Sequence, residues 1–338
     1  MAREKITSLD VARLAGVSQS AVSRVFTGAS ASATTVDKVR RAAEELGYRP
    51  NPLARAMITG KSRIVGLIVA YLDNQFYPMA LERLSKRFQE QGYHVLLFLI
   101  GNDTDRVETV VQELMDYHVD GILTASVALS NAVVARCEEA GIPVVMFNRG
   151  QDDPVLTEVT SDNLAGGRTV AQFLIAGGHQ RIAHITGWQG SSTGRDRLRG
   201  FAEGMAAQGV TPFAIEDGMY SQDTAAEITR RLFAGPERPD ALFVGNDHMA
   251  FAAMDVLRFE LGLSVPEDVS VVGYDDVPIA AWPAYDLTTI RQPVNRMADV
   301  AVEAMLSRIE GDEHPHHIRI PGPLKIRGSA RKPKGFTA

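Results

Sequence analysis

Short apolar runs alternate with amphipathic stretches along most of the chain after residue 63. Such runs predict buried strands, and their alternation with helical patterns predicts a parallel α/β fold. The alternation of strands and helices begins a second series after residue 147. We therefore expect two doubly wound lobes that bind ligands between them, at the carboxyl ends of the strands. Strands are predicted at 64–70, 94–100, 121–124, 143–147, 182–186, 241–244 and 269–273, and helices at 79–91, from 105, near 130–140, 164–176, 197–208 and 248–260.

The first fifty residues follow a different pattern, which predicts three short helices. Apolar positions recur at helical spacing in two neighbouring segments, and a glycine separates them because it enters the left-handed region at little cost. Serine or threonine precedes each helix, where a side-chain oxygen accepts from free backbone amides. The expected caps are Thr7 or Ser8 and Ser18, the third helix is expected to start at Thr34 or Thr35, and the expected stops are Gly16 and Gly47.

The second of these helices has two chemically different faces. Ala21, Val22 and Val25 share the side that faces the first helix. The opposite side can donate hydrogen bonds and has no acidic residue, which is what the major groove of DNA accepts. A surface helical hairpin with an ordinary polar face is the alternative that periodicity leaves open. The residues that we expect to read DNA bases are Gln19, Ser20, Ser23 and Arg24.

A short helix is predicted between Asn51 and Gly60. Asn51 is a suitable N-cap, and Pro52 suits the first helical position because its missing amide costs nothing there. About seven residues are too few for a helix to be stable alone in water. This segment must therefore form against another surface.

Three motifs in this region identify a family. They are Asp10-Val-Ala-Arg-Leu-Ala-Gly-Val-Ser, Val22-Ser-Arg-Val and Glu45-Leu-Gly-Tyr-Arg-Pro-Asn. Together they resemble the lactose/galactose repressor (LacI/GalR) family of bacterial transcriptional regulators, and the similarity extends over nearly the whole chain. The family usually has leucine where this chain has Met57, the wedge pushed into the central minor-groove step. The resemblance implies that Arg55 and Met57 contact DNA.

The resemblance also implies the domain organisation. We expect a helix-turn-helix head at 1–50, a hinge helix and linker at 51–62, and an effector-binding and dimerisation body at 63–338. The body should be two-lobed and similar to periplasmic binding proteins, with three chain crossings near 162, 291 and 322. Its N-lobe would comprise about 63–162 and 291–322, and its C-lobe about 163–290 and 323–338.

The distribution of charge supports a nucleic-acid partner for the head alone. The whole chain has a net charge of −6. Residues 1–63 contain 11 basic and 5 acidic residues, a net charge of +6, while the remainder contains 24 and 36, a net charge of −12. A basic head on an acidic body directs polyanions to the head.

Composition indicates a cytoplasmic protein without membrane contact. No apolar run follows residues 2–5, so we expect no secretory signal, and stretches such as Val95 to Ile100 are too short to cross a bilayer. The single cysteine, Cys137, excludes an internal disulfide framework and suits a reducing compartment.

Three stretches imitate enzyme or metal motifs, and we interpret none of them that way. Gly60-Lys61-Ser62 resembles a phosphate-binding loop but leads from helix to strand, the reverse of the required order. Gly190-Ser191-Ser192-Thr193-Gly194 fits the nucleophile-elbow pattern, but three residues separate it from the preceding strand. The histidines at 314, 316 and 317 lack partners at metal-ligand spacing and are expected to be solvated. We therefore expect no catalytic residue, metal or cofactor.

Polar and aromatic residues follow the strand ends in the predicted cleft. An arginine and carboxylates that converge with aromatic walls suit a polyhydroxylated ligand. The alternative is that these are helix caps and loop residues, which we expect of Asp247 and Asp276, or that Arg197 pairs with an acid on its own helix. The resemblance implies that eight positions line the effector cleft, namely Phe76, Tyr77, Asn148, Arg197, Tyr220, Asn246, Asp275 and Gln292.

The sequence thus predicts a DNA-binding transcriptional regulator, expected to be a repressor that binds a palindromic operator as a homodimer, with a tetramer left open. A sugar or sugar derivative would control it, and sugar-responsive relatives suggest that the ligand releases DNA. The alternatives are a transport-type sugar-binding protein, a regulator with a non-sugar corepressor such as a nucleobase, and an enzyme on a doubly wound fold. Fold alone does not separate them.

Overall fold

A computed structural model describes residues 6–27, 30–49, 60–101, 105–127, 129–151 and 155–334. The chain divides into two compact units. The first comprises residues up to 64 together with 118–120, and the second comprises 65–117 and 121–338. The predicted hinge helix, with Arg55 and Met57, lies outside the described residues.

The first unit contains three helices, α1 (Ser8–Ala15), α2 (Gln19–Thr27) and α3 (Ala33–Leu46). As predicted, Gly16 and Gly47 end α1 and α3 in the left-handed conformation, with φ of 65° and 64°. The Ser18 hydroxyl accepts from the Ala21 amide at 3.2 Å, as an N-cap does. A small core holds the helices together, and its buried members are Val11, Ala12, Val22, Val39, Ala42 and Ala43.

Residues before the first and third helices of this unit cap them. Thr7 is the N-cap of α1, as predicted, and its hydroxyl and amide donate to the Asp10 carboxylate at 2.7 Å and 2.9 Å. The third helix begins at Ala33, one residue before the predicted start, because Ser32 accepts from the Thr35 amide. In both cases the capping partner is three residues away, a choice that the local sequence leaves open.

The second unit contains two six-stranded sheets. The first has the order β11-β5-β4-β3-β1-β2, and its strands from β11 to β1 are parallel to one another. Its strands are β1 (Ile64–Val69), β2 (His94–Leu99), β3 (Gly121–Ala125), β4 (Val144–Phe147), β5 (Thr157–Ser161) and β11 (His317–Ile320).

The second sheet has the order β12-β10-β9-β8-β6-β7, and only β12 is antiparallel to its neighbour. The chain passes between the two sheets after β5, after β10 and after β11. Its strands are β6 (Ile182–Thr186), β7 (Ala214–Asp217), β8 (Ala241–Val244), β9 (Ser270–Asp275), β10 (Thr288–Arg291) and β12 (Leu324–Lys325).

Helices connect and cover these strands, as parallel sheets require. Residues 256–260 continue the helix before them as a π-helical turn, and Pro278–Ala281 is a 3₁₀ turn. The helices are α4 (Phe76–Glu90), α5 (Asp105–Asp116), α6 (Asn131–Glu139), α7 (Asn163–Ala176), α8 (Ser192–Ala206), α9 (Gln222–Phe233), α10 (Asp247–Asp255) and α11 (Val294–Ile309).

Two helices start earlier than predicted, and in each a preceding side chain accepts from an amide of the first turn. The Asn74 side chain accepts from the Phe76 amide at 3.0 Å, so α4 begins three residues before Met79. Ser191 accepts from the Gly194 amide at 3.2 Å, so α8 begins at Ser192 and not near Arg197. Seven elements were absent from the prediction, namely β5, β7, α9, β10, α11, β11 and β12.

Glycines allow α7 and α8 to pack closely. A Cβ at Gly200 would overlap the Leu164 carbonyl oxygen, and one at Gly167 would overlap the Arg197 backbone. Only glycine fits at such an approach of two backbones. This packing brings Arg197 on α8 against Asn163 on α7.

The described part of the chain also lacks some features. None of its helices combines the length and apolar character that crossing a bilayer demands. It contains no group of three or more His, Cys, Asp or Glu side chains that could hold a metal ion.

Candidate functional site

The polar face of α2 is open to solvent. Gln19, Ser20 and Arg24 are exposed, and Ser23 is half-buried. The Gln19 side-chain amide donates to the Ser8 hydroxyl on α1 at 3.0 Å. The buried side of α2 is formed by Ala21 and Val22, as predicted. The helix therefore has an apolar back and a face of hydrogen-bond donors.

In the second unit, all eight residues predicted for the cleft line one small chamber between the two sheets. They come from loops or helix starts at the carboxyl ends of strands in both lobes. Four further residues that the prediction did not single out line the same chamber, and these are Tyr71, Asn74, Arg149 and Thr193.

Arg197 is fixed at the floor of this chamber. It is 3% exposed, and its Nε donates to Asn163 Oδ1 at 2.9 Å while Nη1 donates to the Gly245 carbonyl at 2.6 Å. Its guanidinium carbon lies 3.7 Å from the centre of the Tyr274 ring, a cation–π contact. Its carboxylate neighbour is Asp275 on β9, at 3.7 Å, and not an acid on its own helix.

Asp275 lies opposite Arg197 and is also buried. One carboxylate oxygen accepts from Gln292 at 2.7 Å and the other from Asn74 at 3.3 Å. Burial raises the pKa of Asp275, and the Arg197 guanidinium partly offsets that effect. The Asp275 carboxyl group is thus held as a hydrogen-bond acceptor in a buried site, where its hydrogen bonds are stronger than in water.

Polar side chains in the chamber retain unpaired atoms. Asn148 donates to the Tyr77 hydroxyl at 3.0 Å, but its Oδ1 has no partner among the described residues. Gln292 Oε1 and Arg149 Nε are likewise buried without a hydrogen-bond partner there. Buried polar groups are normally paired. These two acceptors and one donor therefore indicate a ligand that carries both hydrogen-bond donors and acceptors.

Arg149 lies in a cage of aromatic rings. Its guanidinium carbon is 5.4 Å from the Tyr220 ring centre, 5.9 Å from Tyr71 and 6.0 Å from Trp188. It donates to the Ser126 carbonyl at 3.2 Å and to the Tyr71 hydroxyl at 2.8 Å. Arginine is suited to such stacking because its cation is planar and weakly hydrated.

Three acidic or amide residues have structural roles. Asn246 lines the chamber but also caps α10, since its oxygen accepts from the Met249 amide at 2.9 Å. Asp247 is not a cap, as its buried carboxylate accepts from Thr289 at 2.6 Å and from the Val277 amide at 3.0 Å. Asp276 is not a simple loop residue, because it pairs with Arg291 and Arg327, each at 2.5 Å.

The stretches that imitate other sites have ordinary structural contacts. The Ser191 hydroxyl caps α8 and donates to the Trp188 carbonyl at 2.7 Å. The Ser62 hydroxyl donates to Asp120 at 2.8 Å, where it fixes the start of β1.

The three histidines at 314, 316 and 317 are solvated, as predicted, because their side chains are 89%, 42% and 42% exposed, and each ring also lies near a carboxylate. His314 and His316 each lie 3.1 Å from Asp312, and His317 lies 3.5 Å from Glu158. Carboxylates two to four residues away, or on the neighbouring β5, are within reach of these rings.

Local backbone geometry explains which loop residues face the chamber. Asn148, Tyr220 and Asp275 have φ of 69°, 57° and 125°, a region that side chains other than glycine rarely adopt. Such strain persists where the surrounding structure holds it, and it is common at binding sites. Asn74 and Arg149 are among the polar residues that the sequence places after strand ends, and Tyr71 could have been found in the same way, because it directly follows the first predicted strand.

Comparison with known proteins agrees with this architecture. Residues 7–51 match the family described as bacterial regulatory proteins, lacI family, and residues 171–330 match a periplasmic binding protein-like domain. The HTH-type transcriptional repressor PurR of Vibrio vulnificus (strain CMCP6) is 32% identical over 331 residues, covering 96% of this chain and 99% of that protein.

Two further relatives are similar over the same length. The ribose operon repressor of Escherichia coli (strain K12) is 33% identical, again covering 96% of this chain and 99% of that protein. The lac repressor dimer bound to operator and the anti-inducer ONPF has a TM-score of 0.87, with 28% identity and coverage of 96% of this chain and 99% of that one.

These relatives confirm the family and the fold class that the motifs predicted. They match a helix-turn-helix head joined to a body of two parallel-sheet lobes, and they are transcriptional repressors, not enzymes. The chain belongs to the lacI family of bacterial regulatory proteins and is a DNA-binding transcriptional regulator.

Proposed function

We propose that this regulator is controlled by a polyhydroxylated small molecule, a sugar or sugar derivative, bound in the chamber between the lobes. One observation carries the proposal: two buried acceptors, Asn148 Oδ1 and Gln292 Oε1, and one buried donor, Arg149 Nε, face the same chamber without a partner among the described residues. A hydroxyl both donates and accepts, so a polyol could pair with all three. A ribose operon repressor among the relatives supports the same class of ligand.

Arg197 and Asp275 are the proposed recognition pair of this chamber. Their buried opposite charges, 3.7 Å apart, can donate to and accept from neighbouring hydroxyls of one ligand. Phe76, Tyr77 and Tyr220 supply the apolar and aromatic wall. Asn246 acts mainly through its cap on α10, which fixes the loop that carries it.

The head is proposed to bind a palindromic operator through α2. Gln19, Ser20, Ser23 and Arg24 would reach base edges, and the exposed basic residues on α3 would contact phosphates. A homodimer supplies two heads for two half-sites, as in the lac repressor dimer bound to operator. Such a protein would act in the cytoplasm, where bacterial DNA lies.

A thermal-shift screen of sugars, sugar derivatives and purine bases tests the ligand class. A ligand at 100 times its dissociation constant stabilises the folded protein by about 2.7 kcal/mol. At least one sugar should raise the melting temperature of the wild-type protein, and Arg197→Ala should lose the shift. A shift with a purine base and with no sugar would contradict the proposal.

A further inference from the structure

Two cavities adjoin in the cleft, and they differ greatly in size. The chamber described above has a volume of about 10 Å³, room for about one water molecule. The second cavity has a volume of about 700 Å³, well within the range of roughly 300–1,000 Å³ for small-ligand sites. Tyr71, Arg149 and Tyr220 line both and form the wall between them.

Trp188 presents an aromatic surface to the larger cavity. It is 42% exposed although it belongs to the cleft wall, and it follows β6. A Cβ at position 190 would overlap its indole ring, so Gly190 is what lets the ring lie where it does. Gly187 supports Tyr220 in the same way. Two aromatic rings are thus held in place by glycines on the C-lobe side.

The opposite wall of the larger cavity is apolar, and its edge is polar. Ile100, Val107 and Met146 from the N-lobe line it. The edge carries acceptors and donors for hydroxyl groups, and these include Asp73, Gln222, Asp223 and His248. Apolar faces bordered by carboxylates fit a sugar ring, whose C–H groups pack on aromatic faces while its hydroxyls donate outward.

Charged groups of both signs line the larger cavity. Burial lowers the pKa of His248, so that its ring is neutral near pH 7, and it lies 3.9 Å from Asp73. The exposed carboxylates of Asp73 and Asp223 lie at the edge of this cavity, and the half-buried guanidinium of Arg149 lies at its inner wall. The carboxylates at the edge can accept hydrogen bonds from the hydroxyl groups of a neutral sugar ring, and Arg149 can donate to its ring or linking oxygens.

We infer that the effector is a saccharide of two linked rings, a disaccharide or a larger glycan with such an end. One ring bonds to the Arg197 and Asp275 pair, the second lies on Trp188, and Arg149 donates at the junction between them. Entry of the first ring requires Tyr71 and Tyr220 to move apart, since the inner chamber is too small as it stands. This inference rests on the proposed function and specifies its ligand.

The test uses the full chain with Trp282→Phe, which leaves Trp188 as the single tryptophan, because the chain contains two. The probes are ribose, glucose and galactose, and the disaccharides cellobiose, maltose, lactose and melibiose. At least one disaccharide should change the Trp188 emission and bind about tenfold or more tightly than its component monosaccharides.

Three variants make the result specific. Trp188→Ala should reduce the preference for the disaccharide over its monosaccharides to about twofold or less, as measured by calorimetry. Phe213 is an exposed aromatic residue outside both cavities, so Phe213→Ala should leave that preference unchanged. Gly190→Ala displaces the indole without removing it and should have the same effect as Trp188→Ala. It keeps the test decisive if the latter variant does not fold.

Each other outcome overturns a defined claim. If a monosaccharide binds as tightly as every disaccharide, the effector has one ring and the inference is wrong, while the proposed function stands. A disaccharide preference that survives both Trp188→Ala and Gly190→Ala excludes Trp188 as the second subsite. If no saccharide binds, the proposed function fails together with the inference.

Discussion

Asn74 donates to Asp275 at 3.3 Å, a hydrogen bond that joins the two lobes across the cleft. Asn74 follows β1 in the first sheet, and Asp275 ends β9 in the second. A second contact, from the Gly150 amide to the Ser192 hydroxyl at 2.9 Å, also crosses the cleft. A ligand that bonds to Asp275 competes with Asn74, so ligand binding and lobe position are coupled at this atom.

Asp275→Asn should abolish ligand binding with little effect on operator affinity in the absence of ligand. The change removes the charged acceptor for a ligand hydroxyl and leaves Arg197 without its carboxylate neighbour. Leaving a buried charge unpaired costs on the order of 3–5 kcal/mol, so the free energy of unfolding should also fall. Calorimetry with the binding saccharide and urea denaturation measure the two effects.

Asp276→Asn is the matched control for that variant. Asp276 pairs with Arg291 and Arg327 and does not line the chamber. The Asp276→Asn substitution should therefore lower the free energy of unfolding but leave the affinity for the ligand unchanged. Equal loss of ligand affinity in both variants would mean that Asp275 acts only through the fold.

His184 should make stability depend on pH. Its ring stacks on Phe243 at 4.1 Å, and its Nδ1–H donates to the Phe243 carbonyl at 2.9 Å. Burial lowers the pKa of His184 from 6.5 to about 3. The folded state keeps the ring neutral while the unfolded chain takes up a proton as pH falls through 6.5, so this contribution to stability is lost as pH falls.

Between pH 7 and pH 5 this single group should lower the free energy of unfolding by about 2 kcal/mol. In His184→Gln that contribution to the pH dependence should disappear, whereas a matched substitution at the exposed His94 should keep it. Urea denaturation at the two pH values measures the difference. Equal pH dependence in wild type and His184→Gln would show that the ring is protonated in the folded state.

Arg24→Ala should relax operator specificity at one base pair. Arg24 is exposed on the face of α2 opposite the buried Val22. A bidentate contact to guanine is worth about 1–3 kcal/mol of discrimination. Arg41→Ala, which removes an exposed arginine on α3, should weaken all operator variants alike. If Arg24→Ala behaves the same way, Arg24 contacts phosphate and not a base.

Operator affinity should fall steeply with salt, because residues 1–63 have a net charge of +6 and displace counterions from DNA. A dimer that makes six to ten phosphate contacts would lose on the order of 10³–10⁵ in affinity between about 50 and 200 mM salt. Filter binding over this range measures the slope. A response near zero would contradict a role for the basic head in phosphate binding.

Sequence pattern predicted those parts of the fold in which burial is strongest. Central strands such as β3 and β8 are fully buried and read as apolar runs. The edge strand β7 was missed because its residues are half-buried or exposed, and β12 has only two residues. Helix α11 was also missed, although apolar residues recur in it at helical spacing. Met297, Ala301 and Met305 are examples, and all three are buried.

The eight chamber residues were predicted from family motifs, not from pattern alone. The sequence pattern places polar residues after strand ends, but it does not show which of these side chains face the chamber. That depends on backbone conformations such as the positive φ of Asn148 and Tyr220. It also depends on side-chain partners, as for Asp276, whose two arginines hold it away from the chamber.

The proposed function requires that a ligand in the body chamber controls DNA binding by the head. Fluorescence anisotropy of a labelled operator, selected from a random DNA library, tests it with the saccharide that gives the largest thermal shift. In the wild-type protein the saccharide should change operator affinity about 5- to 150-fold, the usual range of allosteric coupling. Arg197→Ala should bind the operator as the wild type does and show no response to the saccharide. A folded Arg197→Ala protein that loses operator binding, or that responds as the wild type does, would contradict the claim.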